Sequence, residues 1–132
     1  MLTGHCECRK IQFQANSDIN DFSHCHCSQC RRLHGAAFAT FAGVSADKFE
    51  YLSGKSELSN YNSSAGSKRL FCRNCGSNIM VIVDSEPGVL YLAMSTIEGN
   101  PDRPPAYHAF ATSKAPWHEI NDDLPQHETW GD

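Results

Sequence analysis

In Leu70-Phe71-Cys72-Arg73-Asn74-Cys75-Gly76-Ser77-Asn78-Ile79-Met80-Val81-Ile82-Val83 a Cys-x-x-Cys pair runs straight into a β-branched strand. A redox-active pair at that spacing belongs at the start of a helix in a βαβ pattern, where the helix terminus lowers the thiol pKa. In this chain Gly76, Ser77 and Asn78 turn the backbone, and Ile79 to Val83 then reads as a buried strand. The pair is better read as a knuckle that presents two sulfurs and nearby backbone amides to one metal ion.

The other cysteines fall into two further clusters, Cys6-x-Cys8 and Cys25-x-Cys27-x-x-Cys30, for a total of 7. Disulfide partners need Cα atoms roughly 4.4 to 6.8 Å apart, a geometry that residues one or two apart seldom reach, and an odd total leaves one thiol over. The opening Met1-Leu2-Thr3-Gly4-His5-Cys6 has neither the apolar core nor the small-residue cleavage site of a secretory signal. A cytoplasmic address is therefore expected, where thiols stay reduced and such spacings read as zinc ligands. His5-x-Glu7 together with the later Cys-x-x-Cys echoes the zinc nucleobase deaminases, which carry those motifs on helices after a proline. Phe71 stands in place of that proline, and Ile11, Phe13 and Ala15 alternate as a strand, so the echo is set aside.

Residues 1–132 are expected to form one domain, long enough to bury about two thirds of the unfolded surface. Apolar content of 40% and charged content of 20% are globular values, and the longest wholly apolar run, Ile79 to Val83, is far too short to span a bilayer. A soluble protein with no membrane partner follows. The formal charge of −4 falls to about −7 if all seven thiols ionise onto two zinc ions, which argues against nucleic acid as a partner. Arg31, Arg32, Lys68, Arg69 and Arg73 nevertheless lie beside the second and third clusters. They either form a positive rim for an anionic substrate or are solvated charges balancing the anionic centres.

Strand signals dominate. Ile11, Phe13 and Ala15 alternate, Ala36 to Ala42 gives a second run, Leu70-Phe71 a third, and Ile79 to Val83 and Val89 to Met94 read as an antiparallel hairpin across Ser85-Glu86-Pro87-Gly88. A short helix is expected over Ser28 to His34, ended by Gly35, with a weak helical turn at Ser45 to Phe49. Glu98 to Pro105, rich in Gly and Pro, is expected to lack regular structure. The expectation is a small all-β domain of short antiparallel sheets, with zinc knuckles at strand ends and at most one or two short helices.

Cys6 and Cys8 supply two ligands and need two more. Cys72 and Cys75 have the same deficit, so the pairs complete each other. Cys25, Cys27 and Cys30 bring three ligands within one short segment and bind without help. Four thiolates close a tetrahedral zinc, which is then structural, whereas three leave a position for an outside ligand. Two zinc ions per chain are thus expected, one bracing the fold and one open.

With the clusters placed, the surrounding wording resembles a known family. Gly4-x-Cys6-x-Cys8, Cys25-His26-Cys27-Ser28-Gln29-Cys30-Arg31-Arg32, Gly35-Ala36-Ala37-Phe38, Phe71-Cys72-x-x-Cys75-Gly76-Ser77, Lys114-Ala115-Pro116-Trp117 and Leu124-Pro125 occur in an order similar to that of the glutathione-dependent formaldehyde-activating enzymes. That family also includes centromere protein V. The resemblance implies a tent-like all-β fold, a closed zinc at Cys6, Cys8, Cys72 and Cys75, and a substrate-facing zinc at Cys25, Cys27 and Cys30. It further implies carbon–sulfur lyase chemistry joining glutathione and formaldehyde. Where the family carries glycine after the second cysteine, a residue suited to a left-handed backbone, this chain has Arg9-Lys10.

An open three-thiolate zinc suits thiol capture better than strong carbonyl polarisation, since three anionic ligands already donate charge to the metal. A substrate thiolate would add to, or leave from, a small carbonyl carbon, with His24, His26 and His34 as candidates for proton transfer. His34 lies four residues after Cys30 and on a helix shares its face, as a fourth ligand, a shuttle or a packing residue. Trp117 and His118 follow Pro116, where an aromatic more commonly closes a core than meets a ligand. Three functions fit: a lyase acting on glutathione or a similar thiol, a non-catalytic module that carries a thiol or binds a protein, and a redox-sensitive zinc switch.

Overall fold

The structure is a computed structural model that describes residues 1–130. Along the chain run β1 (Leu2–His5), β2 (Gln12–Ala15), β3 (Asn20–Cys25), α1 (Ser28–His34), β4 (Ala39–Ser45), β5 (Phe49–Ser53), β6 (Leu58–Ser64), β7 (Ser67–Cys72), β8 (Asn78–Val83), β9 (Val89–Ala93), β10 (Ile97–Glu98) and β11 (Tyr107–Ala109). They form a four-stranded sheet in the order β10-β1-β2-β5 and a seven-stranded sheet in the order β11-β3-β4-β9-β8-β7-β6. The molecule is mostly β with one α-helix, in open sheets, as its sequence leads one to expect.

Alternation along the strands divides the larger sheet into two faces. Even-numbered residues such as Phe22, Ala42, Val44, Met80 and Leu92 pack with Leu2, Ile11, Phe13 and Ala15 of the smaller-sheet region in the main core. Odd-numbered residues of the same strands, Cys25, Ala39, Phe41 and Val81, form a second cluster on the opposite face, with Val83 and Tyr91 against it. That second face carries the three-cysteine cluster. A shift between Leu70 and Phe71 in the β7–β8 ladder turns Ile79 into the main core.

The Ser28–His34 helix is present, with Cys27 as N-cap and Gly35 (φ 59°) as a left-handed C-cap donating its N–H to the Arg31 carbonyl. The β8–β9 hairpin is antiparallel, pairing Met80 with Leu92 and Val81 with Tyr91. Three expectations need correction. The strand expected from Ala36 starts only at Ala39, because residues 36–38 lead out of the helix cap. Glu98, placed in an irregular segment, instead closes β10 opposite Thr3. The larger sheet is not wholly antiparallel, since β11 runs parallel to β3 with Tyr107 opposite Ser23 and Ala109 opposite Cys25. Trp117 also differs: it is 74% exposed and closes no core.

Gly4 shows how tightly β1 is held. A Cβ there would sit 2.5 Å from Phe13 Cζ and 2.7 Å from the Thr96 carbonyl oxygen.

Candidate metal centres

Both knuckles are built by the same backbone device. In the first, Cys6 N–H donates to the Ile11 carbonyl and Arg9 N–H to the Cys6 carbonyl, each at 3.1 Å. In the second, Cys72 N–H donates to the Ser77 carbonyl at 2.9 Å and Gly76 N–H to the Cys72 carbonyl at 2.8 Å. The residue after each second cysteine is left-handed, Gly76 at φ 84° and Arg9 at φ 66°. Arg9 therefore adopts the conformation that glycine would adopt freely. Ser77 ties the two knuckles together, its Oγ accepting from Glu7 N–H at 2.9 Å while lying 3.3 Å from Cys75 Sγ.

The four sulfurs of Cys6, Cys8, Cys72 and Cys75 all lie within 4.8 Å of one another. Cys6 and Cys8 are 3.5 Å apart and Cys8 and Cys72 are 3.8 Å apart, sulfur to sulfur. A zinc–sulfur bond of ~2.3 Å in tetrahedral geometry gives an edge of about 3.8 Å, so the group fits such an ion. Burial pushes the Cys72 thiol up to about 11. At Cys75 burial also opposes ionisation, but hydrogen bonds from Ser77 and the Cys8 backbone bring the thiol down to about 5.

Cys25, Cys27 and Cys30 form a second group with sulfurs within 4.8 Å of one another. Cys25 ends β3, Cys27 caps α1, and Cys30 lies in its first turn, so strand end, cap and helix fix the three sulfurs locally. Cys30 N–H donates to Cys27 Sγ at 3.2 Å, and Arg69 Nη2 donates to Cys30 Sγ at 3.5 Å. Hydrogen bonds from the Cys25 and Cys30 thiols, then from the Cys30 backbone and the Arg69 charge, hold Cys27 down to about 2. The same sharing of protons pushes Cys25 up. The group thus favours one thiolate even before a metal displaces the remaining protons.

Of the five basic residues near the clusters, Arg69 alone is buried, at 6% exposure. Its guanidinium also donates to Gln29 Oε1 and Ser63 Oγ and lies 5.8 Å from the Phe41 ring centroid. Arg73 pairs with Glu57 at 3.1 Å, while Arg32 and Lys68 are exposed. A continuous positive rim is therefore not formed.

The three-cysteine group opens on a cavity of about 690 Å³, with Cys27, Cys30, Arg69, Phe41 and Tyr91 in its walls. None of Cys6, Cys8, Cys72 and Cys75 lines it.

His34 is not grouped with the three sulfurs. Its ring meets the edge of Phe41 at 5.3 Å, and it lines a separate cavity of about 400 Å³ with Phe38 and Met94. Burial, then the Arg69 charge, lowers its pKa to about 4. His24 Nδ1 lies 2.8 Å from Thr40 Oγ1, and burial lowers its pKa as well. His26 is fully buried, its Nε2 2.7 Å from His108 Nδ1, and His108 Nε2 is 3.0 Å from both carboxylate oxygens of Asp122. With the carboxylate accepting from His108 Nε2, the free acceptor position at His108 Nδ1 suits the His26 Nε2–H, and His26 Nδ1 has no partner among the described residues. Burial, reinforced by His108 and His118, brings His26 to about 4. Sequence reasoning missed His108, which approaches His26 through the parallel β3–β11 pairing, and Asp122, which joins it by hydrogen-bonding to His108.

Fold and site define a cysteine-rich β protein with two thiol groups, each able to hold a metal ion. The chain belongs to the glutathione-dependent formaldehyde-activating enzyme family, a sequence model of which matches residues 1–113. It is 32% identical over 76 residues to an uncharacterised lyase of Schizosaccharomyces pombe, covering 58% of this chain and 53% of that protein. It is 26% identical over 112 residues to a protein of Phaeosphaeria nodorum named for glutathione-dependent formaldehyde activation, covering 83% and 59%. The chain thus spans between 53% and 59% of these relatives' length. A crystal structure of a Rhodobacter sphaeroides protein superposes with a TM-score of 0.63 at 26% identity, covering 74% of this chain and 89% of that one. No helix among the described residues is long and apolar enough to cross a membrane.

Proposed function

We propose that this chain is a zinc-dependent carbon–sulfur lyase acting on glutathione or a similar small thiol and its adduct with a small aldehyde. One observation carries the reading: the three-sulfur group opens on the 690 Å³ cavity while the four-sulfur group stays away from it. Cys6, Cys8, Cys72 and Cys75 would hold a saturated, structural zinc, and Cys25, Cys27 and Cys30 a second ion with a position to spare. Zinc at the second group would supply a Lewis acid that takes up an incoming thiol as its thiolate near neutral pH. The family name and the glutathione-related name of one relative support the substrate class.

The chain's own residues decide which sulfur reacts. Cys27 Sγ accepts from Cys30 N–H and Cys30 Sγ from Arg69, which draws electron density from the protein sulfurs. A substrate sulfur, free of those donors, remains the better nucleophile. In the forward direction its lone pair forms the carbon–sulfur bond at the aldehyde carbon. The carbonyl π pair moves to oxygen, and the proton lost from the thiol ends on that oxygen. Cleavage of the adduct is the reverse.

A second reading, a thiol carrier without acid–base machinery, is favoured by a different observation. None of His24, His26 and His34 lines the cavity beside Cys27 and Cys30. Metal-loaded protein mixed with glutathione and formaldehyde separates the two. Adduct forming faster than in buffer supports the lyase, whereas tight thiol binding with no rate gain leaves the carrier.

A further inference from the structure

The cavity beside Cys27 and Cys30 extends well beyond them, and its far end carries carboxylates, opposite in charge to Arg69 at the sulfur end. Strand β3 sets the scale: Cys25, Ser23 and Asp21 are spaced by alternate residues, and Asp21 and Ser23 both line the cavity. Four residues of strand put Asp21 at most about 13 Å from the Cys25 backbone. Asp21 sits at the irregularity between Asn20 and Ser23 in the β3–β4 ladder, with φ at 52°. Glu86, in the β8–β9 turn, joins it at the cavity wall. Tyr91 Oη donates to its carboxylate, 2.9 Å from both oxygens. Burial raises the Tyr91 pKa first, followed by Glu86 and Asp21, consistent with both carboxylates converging on this phenol.

Among the described residues neither carboxylate has a lysine, arginine or histidine nitrogen within 4.0 Å. Tyr107, Phe110 and Trp130 complete this end, the last two packed edge to face at 5.3 Å. Uncompensated carboxylates beside aromatic rings form a cation site. Two further wall residues each have one buried polar atom with no hydrogen-bond partner among the described residues. Ser23 is 1% exposed with an unpaired Oγ, and Arg69 is 6% exposed with an unpaired Nη1. Leaving a buried polar atom unpaired is costly, so a ligand that runs along this wall would give both atoms a partner.

We infer that the Asp21–Glu86 end binds a primary ammonium group, so that the preferred thiols carry one about 10 Å from sulfur, roughly the reach of three extended residues. This rests on the proposed thiol site at Cys25, Cys27 and Cys30 and specifies its substrate class. The γ-glutamyl arm of glutathione spans that distance. Cysteine, whose ammonium lies on the carbon next to the thiol-bearing one, does not. Arg69, at the sulfur end, leaves a carboxylate near the thiol electrostatically favoured.

Calorimetric titration of the zinc-loaded chain with glutathione and N-acetylglutathione tests this directly. Glutathione should bind roughly tenfold tighter or more, the usual scale of a charge-assisted hydrogen-bond pair. In the isosteric D21N/E86Q variant that advantage should vanish, with affinity for N-acetylglutathione and metal content unchanged. Equal affinities in the wild type, or discrimination that survives in D21N/E86Q, overturn the ammonium assignment while leaving the thiol site standing. Binding of neither peptide overturns both.

Discussion

Arg9 carries a left-handed backbone, φ 66°, at the position after the second cysteine of the first knuckle. The matching position of the second knuckle is Gly76, φ 84°. Both residues donate their N–H to the carbonyl of the first cysteine in their pair, so the turn is imposed by the way two sulfurs are aimed at one point. A side chain in this region costs roughly 1–2 kcal/mol, and Arg9→Gly removes that strain while loosening the unfolded chain. The expected result is a net gain of about 1 kcal/mol in urea unfolding, and a loss would mean that the arginine side chain contributes something not visible in its contacts. Gly4 is the opposite case. Gly4→Ala places a methyl against Phe13 and the Thr96 carbonyl, and an overpacked site of that kind should lower stability by about 1–3 kcal/mol.

Helix α1 was legible because its signals are local, a short run and a glycine stop at Gly35, whereas its N-cap, Cys27, is seen only in the structure. The knuckles were legible for the same reason, since the spacing of Cys6, Cys8, Cys25, Cys27, Cys30, Cys72 and Cys75 fixes how many sulfurs each segment can present. Strand β6 was not, because Ser59-Asn60-Tyr61-Asn62 lies at a sheet edge with little to bury and therefore shows no apolar alternation. Nor were β11 and the His26–His108–Asp122 chain, which depend on a pairing between residues 82 positions apart. The Asp21, Glu86 and Tyr91 wall likewise comes together only through sheet register.

Helix α1 also sets a pH response. His34 has a folded pKa of about 4 against an ordinary 6.5. Between those values the unfolded chain holds the proton and the native chain does not, so stability falls as pH drops from about 6.5 towards 4 and the loss from this group ends there. His34→Phe preserves ring packing on Phe41 and removes the titration. Urea midpoints of this variant should fall less between neutral pH and about pH 5 than those of the wild type, with metal content checked at both. An unchanged slope would place the proton uptake on other groups.

At the scale of the molecule, the larger sheet separates two jobs. One face closes the main core and reaches Cys6 and Cys72, while the other carries Cys25, Cys30 and the cavity. Cys72→Ala should therefore release the ion shared by the two knuckles and abolish cooperative unfolding, because a metal bound only by the native chain contributes its binding energy to folding. Cys27→Ala should retain the fold and lose thiol binding. Equal collapse of the two variants would mean that the roles of the clusters are confused.

In the proposed function sulfur is divided unequally, four ligands around one ion and three around another that an outside thiol can reach. Cadmium NMR of fully loaded protein, recorded before and after glutathione is added, reads this division directly. Two resonances are predicted, of which one moves on addition of glutathione, and the moving one is missing from Cys27→Ala. Two resonances that both move, or that both stay fixed while glutathione binds, would rule out this division of the sulfurs.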